Sequence, residues 1–411
     1  MMIPHFYLRI TFVAPAILFL LTVSMFKTLQ YLNPTATSTT GIIFANQPEV
    51  ASSHYPVKRT VDMTLPHNNT LTTKTTIRRL QHDWNYHPPQ SHLAQLIHAH
   101  QTNCSNQNIA TYYSDNHYGI GSHVAVWSQG ICQAMQQHRR LQTINPTWLW
   151  LDQNKCDMTI QTQKSPWSCY FPMAEPFCPQ HPQQQQQQPE ALTVNISIPR
   201  DHKRHSCQFF AKGDTNQLKA FRAASTEVLF QRVSLLVIAE AERQLRLLFG
   251  EDEPPEDLIT VHIRWGDKFW EMDLVSIQEY LQAISNILVH HQGKRDNSTA
   301  SIYLATEDPR AAQEFKTAIP PGWKVYYDLT VAELSTYRPL KGNRASHMAR
   351  NTQGRAGLVG LGSLLLAMEA KWFVLTTASN WSRMMDHLRT QIINPRCNNC
   401  TFMVDLRPGI W

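Results

Sequence analysis

Several features that would place a chain in a common class are missing. No block of five or more like charges occurs in the 411 residues, and a net charge of +6 spread over the whole chain implies neither a nucleic-acid footprint nor an acidic polymer partner. There is no GxxxxGK[ST] phosphate loop, and no D-x-D triplet of the kind that holds a metal against a diphosphate. "GIG" at Gly119 to Gly121 lacks the third glycine of a dinucleotide fingerprint, and no strand is read in front of it. The single CxxC, "CNNC" at 397–400, has no second CxxC or HxxxH to complete a zinc site. It also sits too near the C-terminus for a thioredoxin-like redox motif.

What is present begins with an apolar run. "ITFVAPAILFLLTVSMF", Ile10 to Phe26, has no internal charge, with Arg9 and Lys27 at its edges. At about 1.5 Å per residue it reaches the low end of what spans a secretory-pathway membrane. A cleaved signal peptide is the rival reading, but "SMFKTLQYL" offers no small-x-small cleavage site. The short tail before the run and the large remainder favour an N-in, lumen-facing anchor. The eight cysteines, Cys104, Cys132, Cys156, Cys169, Cys178, Cys207, Cys397 and Cys400, are expected as disulfides in an oxidising lumen, with the pairing left open. Sequons at Asn68, Asn103, Asn195, Asn297, Asn380 and Asn399 predict a glycoprotein.

The rest divides by composition. Residues from about Lys27 to His100, rich in Ser, Thr, Asn, His and Pro, suggest a flexible stem. Packed structure is expected from near Tyr112. Val124, Trp127, Ile131 and Met135 predict a helix behind the paired glycines, and "TWLWLDQ", Thr147 to Gln153, predicts a short strand. A Cys- and Pro-rich stretch carries an exposed Gln183 to Gln188 insertion, and a long helical pattern then runs from Lys219 to Phe249. After the "EDEPPED" linker, the apolar run Leu258 to Arg264 reads as a central parallel strand, and Ser276 caps a helix. "SIYLAT", "WKVYYD", a Gly-rich helix, "WFVLTT" and a helix from near Asn380 follow. Strands and helices alternating at this spacing predict a doubly wound, Rossmann-like domain of about 150 residues.

In such sheets ligands bind beyond the carboxyl ends of the strands, which singles out "HIRWGDK", "ATEDP" and "TTASNWSR". His262 and Arg264 are two apart and so share a face, and a turn at Gly266 brings Asp267 and Lys268 round the strand end. A guanidinium binds two phosphate oxygens at once, and an ammonium neutralises a leaving oxygen. Ser379 and Asn380 open a helix whose free N–H groups add a second phosphate cradle. Glu307 and Asp308 suit a nucleobase edge or sugar hydroxyls. Each element also has a plainer reading: a strand-end Arg–Asp pair as a structural ion pair, and Glu307–Asp308 before Pro309 as an acidic helix start. The three loops together fit a nucleotide diphosphate carrying a sugar.

These motifs resemble those of a known family. "VHIRWGDKFWE…SIQEY", "YLATEDP", "FVLTTASNWSRM" and "GIGSHVAVWSQGICQAM" are similar, in order and across Tyr118 to Arg389, to segments of the GDP-fucose-dependent fucosyltransferases of the core α1,6 and Nod-factor type. The resemblance implies a GT-B fold of two Rossmann-like α/β domains, inverting transfer without a metal cofactor, GDP-fucose as donor, and a single-pass type II Golgi membrane topology with the catalytic part luminal. It divides the chain into a cytoplasmic tail (residues 1–9), a transmembrane signal-anchor (10–26), a stem (27–105), an acceptor-side α/β domain (106–255) and a nucleotide-sugar domain (256–411). Carried over, Arg264 holds the donor's β-phosphate with His262 in support, and Lys268 stabilises the leaving diphosphate. Glu271 aligns with the general base. Asp267, Glu307, Asp308, Thr377, Ser379, Gly119 and Gly121 line the donor site.

The departures are specific. Trp265 stands where the family has a second arginine, and Ser363 where it has an aspartate expected to recognise guanine. The chain ends at Trp411 with no room for an SH3-like domain, and the stem lacks coiled-coil heptads. A glycan on Asn380 would block the donor pocket, so that sequon is expected to stay unused. The expected activity is fucosyl transfer to a hydroxyl of a glycan or glycoprotein. Its rivals are a related GT-B enzyme with another nucleotide sugar or a protein hydroxyl acceptor, and a luminal carbohydrate-binding pseudoenzyme.

Overall fold

The computed structural model describes residues 84–113, 118–144, 148–156, 165–176, 178, 193–195, 215–250, 252–266, 268, 271–290, 299–334 and 345–409. The apolar run 10–26, the glutamine run, Cys207 and Asp267 lie outside them. Among the described residues no helix is long and apolar enough to cross a membrane.

The first half holds α1 (His92–Thr102), β1 (Ile109–Tyr113), α2 (Ile120–Gln136), β2 (Arg140–Ile144), β3 (Thr193–Asn195), α3 (Thr215–Phe230) and α4 (Leu235–Phe249). Its strands are parallel in the order β2-β1-β3. The second half runs β4 (Ile259–His262), α5 (Ile277–His290), β5 (Ser301–Ala305), α6 (Pro309–Ala318), β6 (Lys324–Tyr327), α7 (Leu329–Leu334), α8 (Ala345–Asn351), α9 (Arg355–Ala367), β7 (Trp372–Leu375), α10 (Asn380–Leu388) and β8 (Phe402–Asp405). Its five strands are all parallel, in the order β6-β5-β4-β7-β8. The α/β class and the parallel, doubly wound second half expected from the pattern are thus present.

Period two in the strands explains why helices cover both faces. Ile302 and Leu304 of β5 join Ile259, Val261 and Val374 under α5 and α6. Tyr303 and Ala305, with Phe373 and Leu375, face the larger core of α9, α10 and the first half. Helix α5 starts on a capping box: the Ser276 hydroxyl accepts from Glu279 N at 3.3 Å, while Glu279 accepts from Ser276 N at 2.9 Å.

Local structure departs from the sequence reading in four places. Helix α1 lies within the stretch read as stem; Ser91 caps it, and Ser91 Oγ donates to the buried Glu227 of α3 at 2.7 Å. "GIG" does follow a strand, β1, whose five residues are too few to stand out beside the polar "SDNH". The pattern from Lys219 to Phe249 is two helices, because the backbone between them is held elsewhere: Val233 N donates to Trp84 O at 2.9 Å and Ser234 N to Tyr170 O at 2.9 Å. "TWLWL" is no strand. Its described part, from Trp148, turns back on itself, Leu151 N donating to Trp148 O, and packs Trp148 against Trp167 with ring centroids 4.7 Å apart.

That turn presses on the start of α9. A Cβ on Gly357 would lie 2.0 Å from Trp150 O, and one on Gly354, where φ is +82°, would lie 1.7 Å from Leu151 O. Gly357→Ala gains about 1 kcal/mol of helix propensity. It also drives a methyl into backbone that cannot rotate away, an overpacking loss of about 1–3 kcal/mol or more. The expected net result is a lower urea midpoint with an unchanged slope; an unchanged or higher midpoint would show that the turn can yield.

All described cysteines are in disulfides. Cys104 pairs with Cys178, Cys156 with Cys169, and Cys397 with Cys400.

Candidate active site

Strand order reverses between β4 and β7, and a crevice at the carboxyl ends of a doubly wound sheet opens at such a switch point. The chain leaves β4 through "IRWGDK" and β7 through "TTASN", so the two motifs singled out in the sequence lie side by side there. β5, on the other flank of β4, ends in "TEDP".

Arg264 lies just past β4 with its side chain only 11% exposed. Its Nη1 pairs with Glu307 Oε1 at 2.5 Å and donates to Trp265 O at 2.7 Å. Gly266, at φ +76°, makes the turn that folds the loop back, with its Cβ direction 3.5 Å from Arg264 Nη1. Trp265 has a clear structural part: its indole Nε1 donates to Val275 O at 2.9 Å and its ring packs on the core below α5. It ties both ends of the loop together where a second arginine would have carried charge.

Lys268 and Glu271 are one helical turn apart, with Glu271 N donating to Lys268 O at 2.9 Å. The ammonium donates to the Glu271 carboxylate. Lys268 is mostly covered, whereas Glu271 is 60% exposed, so its carboxylate is open to an incoming group.

His262 faces inward. Its Nδ1 shares a 2.7 Å hydrogen bond with Ser382 Oγ of α10, and that hydroxyl accepts from Thr376 N at 3.2 Å. Tyr280 of α5 donates to His262 O at 3.2 Å and meets Thr376 Oγ1 at 3.1 Å. Burial, reinforced by the Arg264 charge, pushes the imidazole down to about 3, so it is neutral at neutral pH. The network locks α10 onto the ends of β4 and β7.

The remaining predicted residues divide in the same way. Asp308 is the N-cap of α6, accepting from Arg310 N at 2.8 Å, and its other oxygen pairs with Arg310 Nη2 at 2.8 Å. Burial alone would raise this carboxyl; the Arg310 hydrogen bonds and charge outweigh it and hold it low. Thr377 N donates to Asp405 Oδ1 at 3.0 Å, and its hydroxyl to the other Asp405 oxygen. Ser379 is the buried N-cap of α10, and no cap hydrogen bond comes from its side chain. Ser363 lies on α9, its hydroxyl 2.8 Å from Gln244 Oε1 and 2.6 Å from Asp328 Oδ1, two acceptors for its one proton.

Gly119 caps α2, and Gly121 brings the start of α2 against the start of α10: a Cβ there would meet Asn380 C and Trp381 N at 2.9 Å. Asn380 Nδ2 donates to Ser122 Oγ at 2.9 Å across the same contact.

Two acidic residues escaped the sequence reading. Asp328 ends β6 and caps α7, accepting from Thr330 N at 2.7 Å. Burial pushes its carboxyl up to about 6, with the Glu307 charge adding to the rise. Asp405 ends β8. The available signal was a lone aspartate closing each of "KVYYD" and "FMVD". Among the described residues no three His, Cys, Asp or Glu side chains gather as metal ligands would.

Among solved structures, the chain is similar to NodZ α-1,6-fucosyltransferase soaked with GDP-fucose, at 12% identity and a TM-score of 0.37 over 68% of this chain and 92% of that one. It is similar also to fucosyltransferase NodZ from Bradyrhizobium, at 11% identity and a TM-score of 0.38 over the same shares. No family model matches the chain. No curated protein matches it either. A likeness this remote assigns no role to any residue.

Proposed function

We propose that this chain is an inverting glycosyltransferase that moves fucose from GDP-fucose to a hydroxyl of a glycan or glycoprotein. The observation that carries the reading is the switch point between β4 and β7, where Arg264 and the N-terminus of α10 leave adjacent parallel strands. The sequence motifs resembling GDP-fucose-dependent enzymes are the ones that meet there. In this reading the diphosphate displaces Glu307 from Arg264 and rests against the α10 start at Ser379, with Thr377 and the Gly119–Gly121 turn beside it. Asp267, Glu307 and Asp308 complete the donor side.

The acceptor oxygen forms its bond to the anomeric carbon while the bond from that carbon to the diphosphate oxygen breaks, and GDP leaves with the electron pair. Glu271, being exposed, takes the acceptor proton. Lys268 and Arg264 supply positive charge to the leaving oxygen, and the proposal invokes no metal cofactor. The disulfides and sequons support a luminal, Golgi-facing catalytic part held by the N-terminal apolar run as a type II anchor.

One observation favours a second donor. Ser363 replaces a guanine-reading aspartate, and the carboxylate it touches, Asp328, is buried and engaged by Ser363 and Thr330. Calorimetry on the full chain with GDP, UDP and their sugars decides between the two. Micromolar GDP binding with weaker UDP binding is the expected result; binding of UDP alone moves the reading to another nucleotide sugar. Donor binding without transfer to any glycan would point to a pseudoenzyme.

A further inference from the structure

A small cleft, open on one side to solvent, lies where α2, α3 and α10 meet. Gly121, Arg222, Thr226, Asn380, Arg383 and His387 face it, and none of the described lining residues is acidic. Arg222, in the middle of α3, is only 6% exposed, and its Nε finds no hydrogen-bond partner. A buried cationic donor left unused is costly, which is why buried arginines are ordinarily paired with a carboxylate or a carbonyl. The neighbour here is a second cation, Arg383, whose Nε and Nη1 donate to Thr377 O at 2.6 Å and Asn380 Oδ1 at 2.8 Å and whose charge Asp405 and Glu271 offset in part. Burial first, and the charge of Arg383 second, bring the Arg222 guanidinium down to about 10. Two helix starts add to the same potential, since α2 and α10 begin at the cleft with Gly121 and Asn380 in contact.

The plainer reading makes Arg222 a packing strut. A strut lays its aliphatic stem on the core and keeps its charged head in water. Arg222 instead buries its Nε beside another guanidinium, an arrangement that an incoming negative group would relieve.

We propose that this cleft is an oxyanion site, in which a phosphate, sulfate or carboxylate group of a ligand binds beside the first turns of α2 and α10 against Arg222 and Arg383. The group comes either from the diphosphate of a nucleotide donor, a source that rests on the donor reading above, or from an acidic group on the acceptor, which does not. Nothing in the sequence marks Arg222, because its partners arrive from elements about 100 or more residues away in either direction along the chain.

The test uses inorganic phosphate on the full chain, with chloride at matched ionic strength as control. Phosphate is expected to raise the wild-type Tm saturably by roughly 2–4 °C or more. Arg222→Met is expected to lose that rise, while Arg246→Met, at an exposed arginine of α4 away from both sites, retains it. An equal rise in wild type and Arg222→Met, no rise in wild type, or an equal loss in Arg246→Met overturns the proposal. Should Arg222→Met fail to fold, Ala125→Asp places a carboxylate at the cleft lining; it is expected to abolish the rise, and a retained rise overturns the proposal as well. Calorimetry then identifies the source. With the donor diphosphate, Arg222→Met weakens GDP roughly tenfold and leaves guanosine unchanged. With an acidic acceptor, GDP affinity is unchanged while the phosphate response is lost. A chain that responds to phosphate through Arg222 yet binds no GDP leaves this site standing and removes the donor reading.

Discussion

Arg264→Met and Glu271→Gln are each expected to lower kcat for fucosyl transfer by about 10²–10³, through different steps. In the proposed mechanism Arg264 acts where charge develops on the leaving diphosphate, and removal of one such preorganised group costs about 10²–10³ in rate. Its loss is also expected to weaken GDP, because the same guanidinium meets the bound phosphate. In that mechanism Glu271 acts only on the acceptor proton, a contribution of about 10²–10⁴. Its variant is therefore expected to bind GDP as wild type does. The fold tolerates both changes: Glu307 and Glu271 are 39% and 60% exposed, and ion pairs to such groups contribute about 0–1 kcal/mol. Single-turnover transfer and GDP calorimetry on both variants separate the two roles. Near-normal transfer by either would remove that residue from the mechanism.

Acid is expected to weaken the fold before it protonates most carboxylates. His262 and His387 are both buried and both held at about 3, by burial first and then by Arg264 for one and by Arg222 and Arg383 for the other. An unfolded histidine titrates near 6.5, so between about 6.5 and 3 the unfolded chain binds more protons and stability falls as pH falls. Asp328 has the opposite sign: with its carboxyl raised to about 6, the folded state binds the extra proton and gains stability as pH drops through that value. Glu175, raised by burial, works in the same direction as Asp328. At about pH 4.5 each histidine costs roughly 2.7 kcal/mol, while Asp328 returns about 2. The two histidines together outweigh Asp328 by about 3 kcal/mol, a large share of a typical 5–15, and Glu175 reduces that margin. Urea unfolding at about pH 7 and 4.5 measures this. His387→Gln is expected to flatten the slope, and a wild-type stability that does not change over this range would contradict the assignment of both histidines as neutral.

The second half was legible because its signals are local. An apolar run, an amphipathic stripe behind Ser276 and a Gly-rich helix repeat within short windows, and each appears as an element where the pattern placed it. The strand-end loops were legible for the same reason. What each side chain in them does was not, since His262 depends on Ser382 and Arg264 on Glu307, partners supplied by other strands and helices. The first half was harder. "TWLWL" has strand composition, but tertiary contacts override it: Trp150 Nε1 donates to Tyr118 O at 2.9 Å, and Trp150 O accepts from Tyr170. Arg222 sits in a helix whose stripe looks ordinary, and the cleft it faces exists only once α2 and α10 are in place.

The contact between the starts of α2 and α10 also sets an order of events. Asn380-Trp381-Ser382 reads as a glycan acceptor, yet the folded chain uses both of its polar ends, Asn380 Nδ2 on Ser122 and Ser382 Oγ on His262. In a secreted route, glycosylation and docking of α10 compete for one amide nitrogen while the chain is still emerging. A chain modified there cannot bring the starts of α2 and α10 into contact, so a glycan on Asn380 and this packing exclude one another.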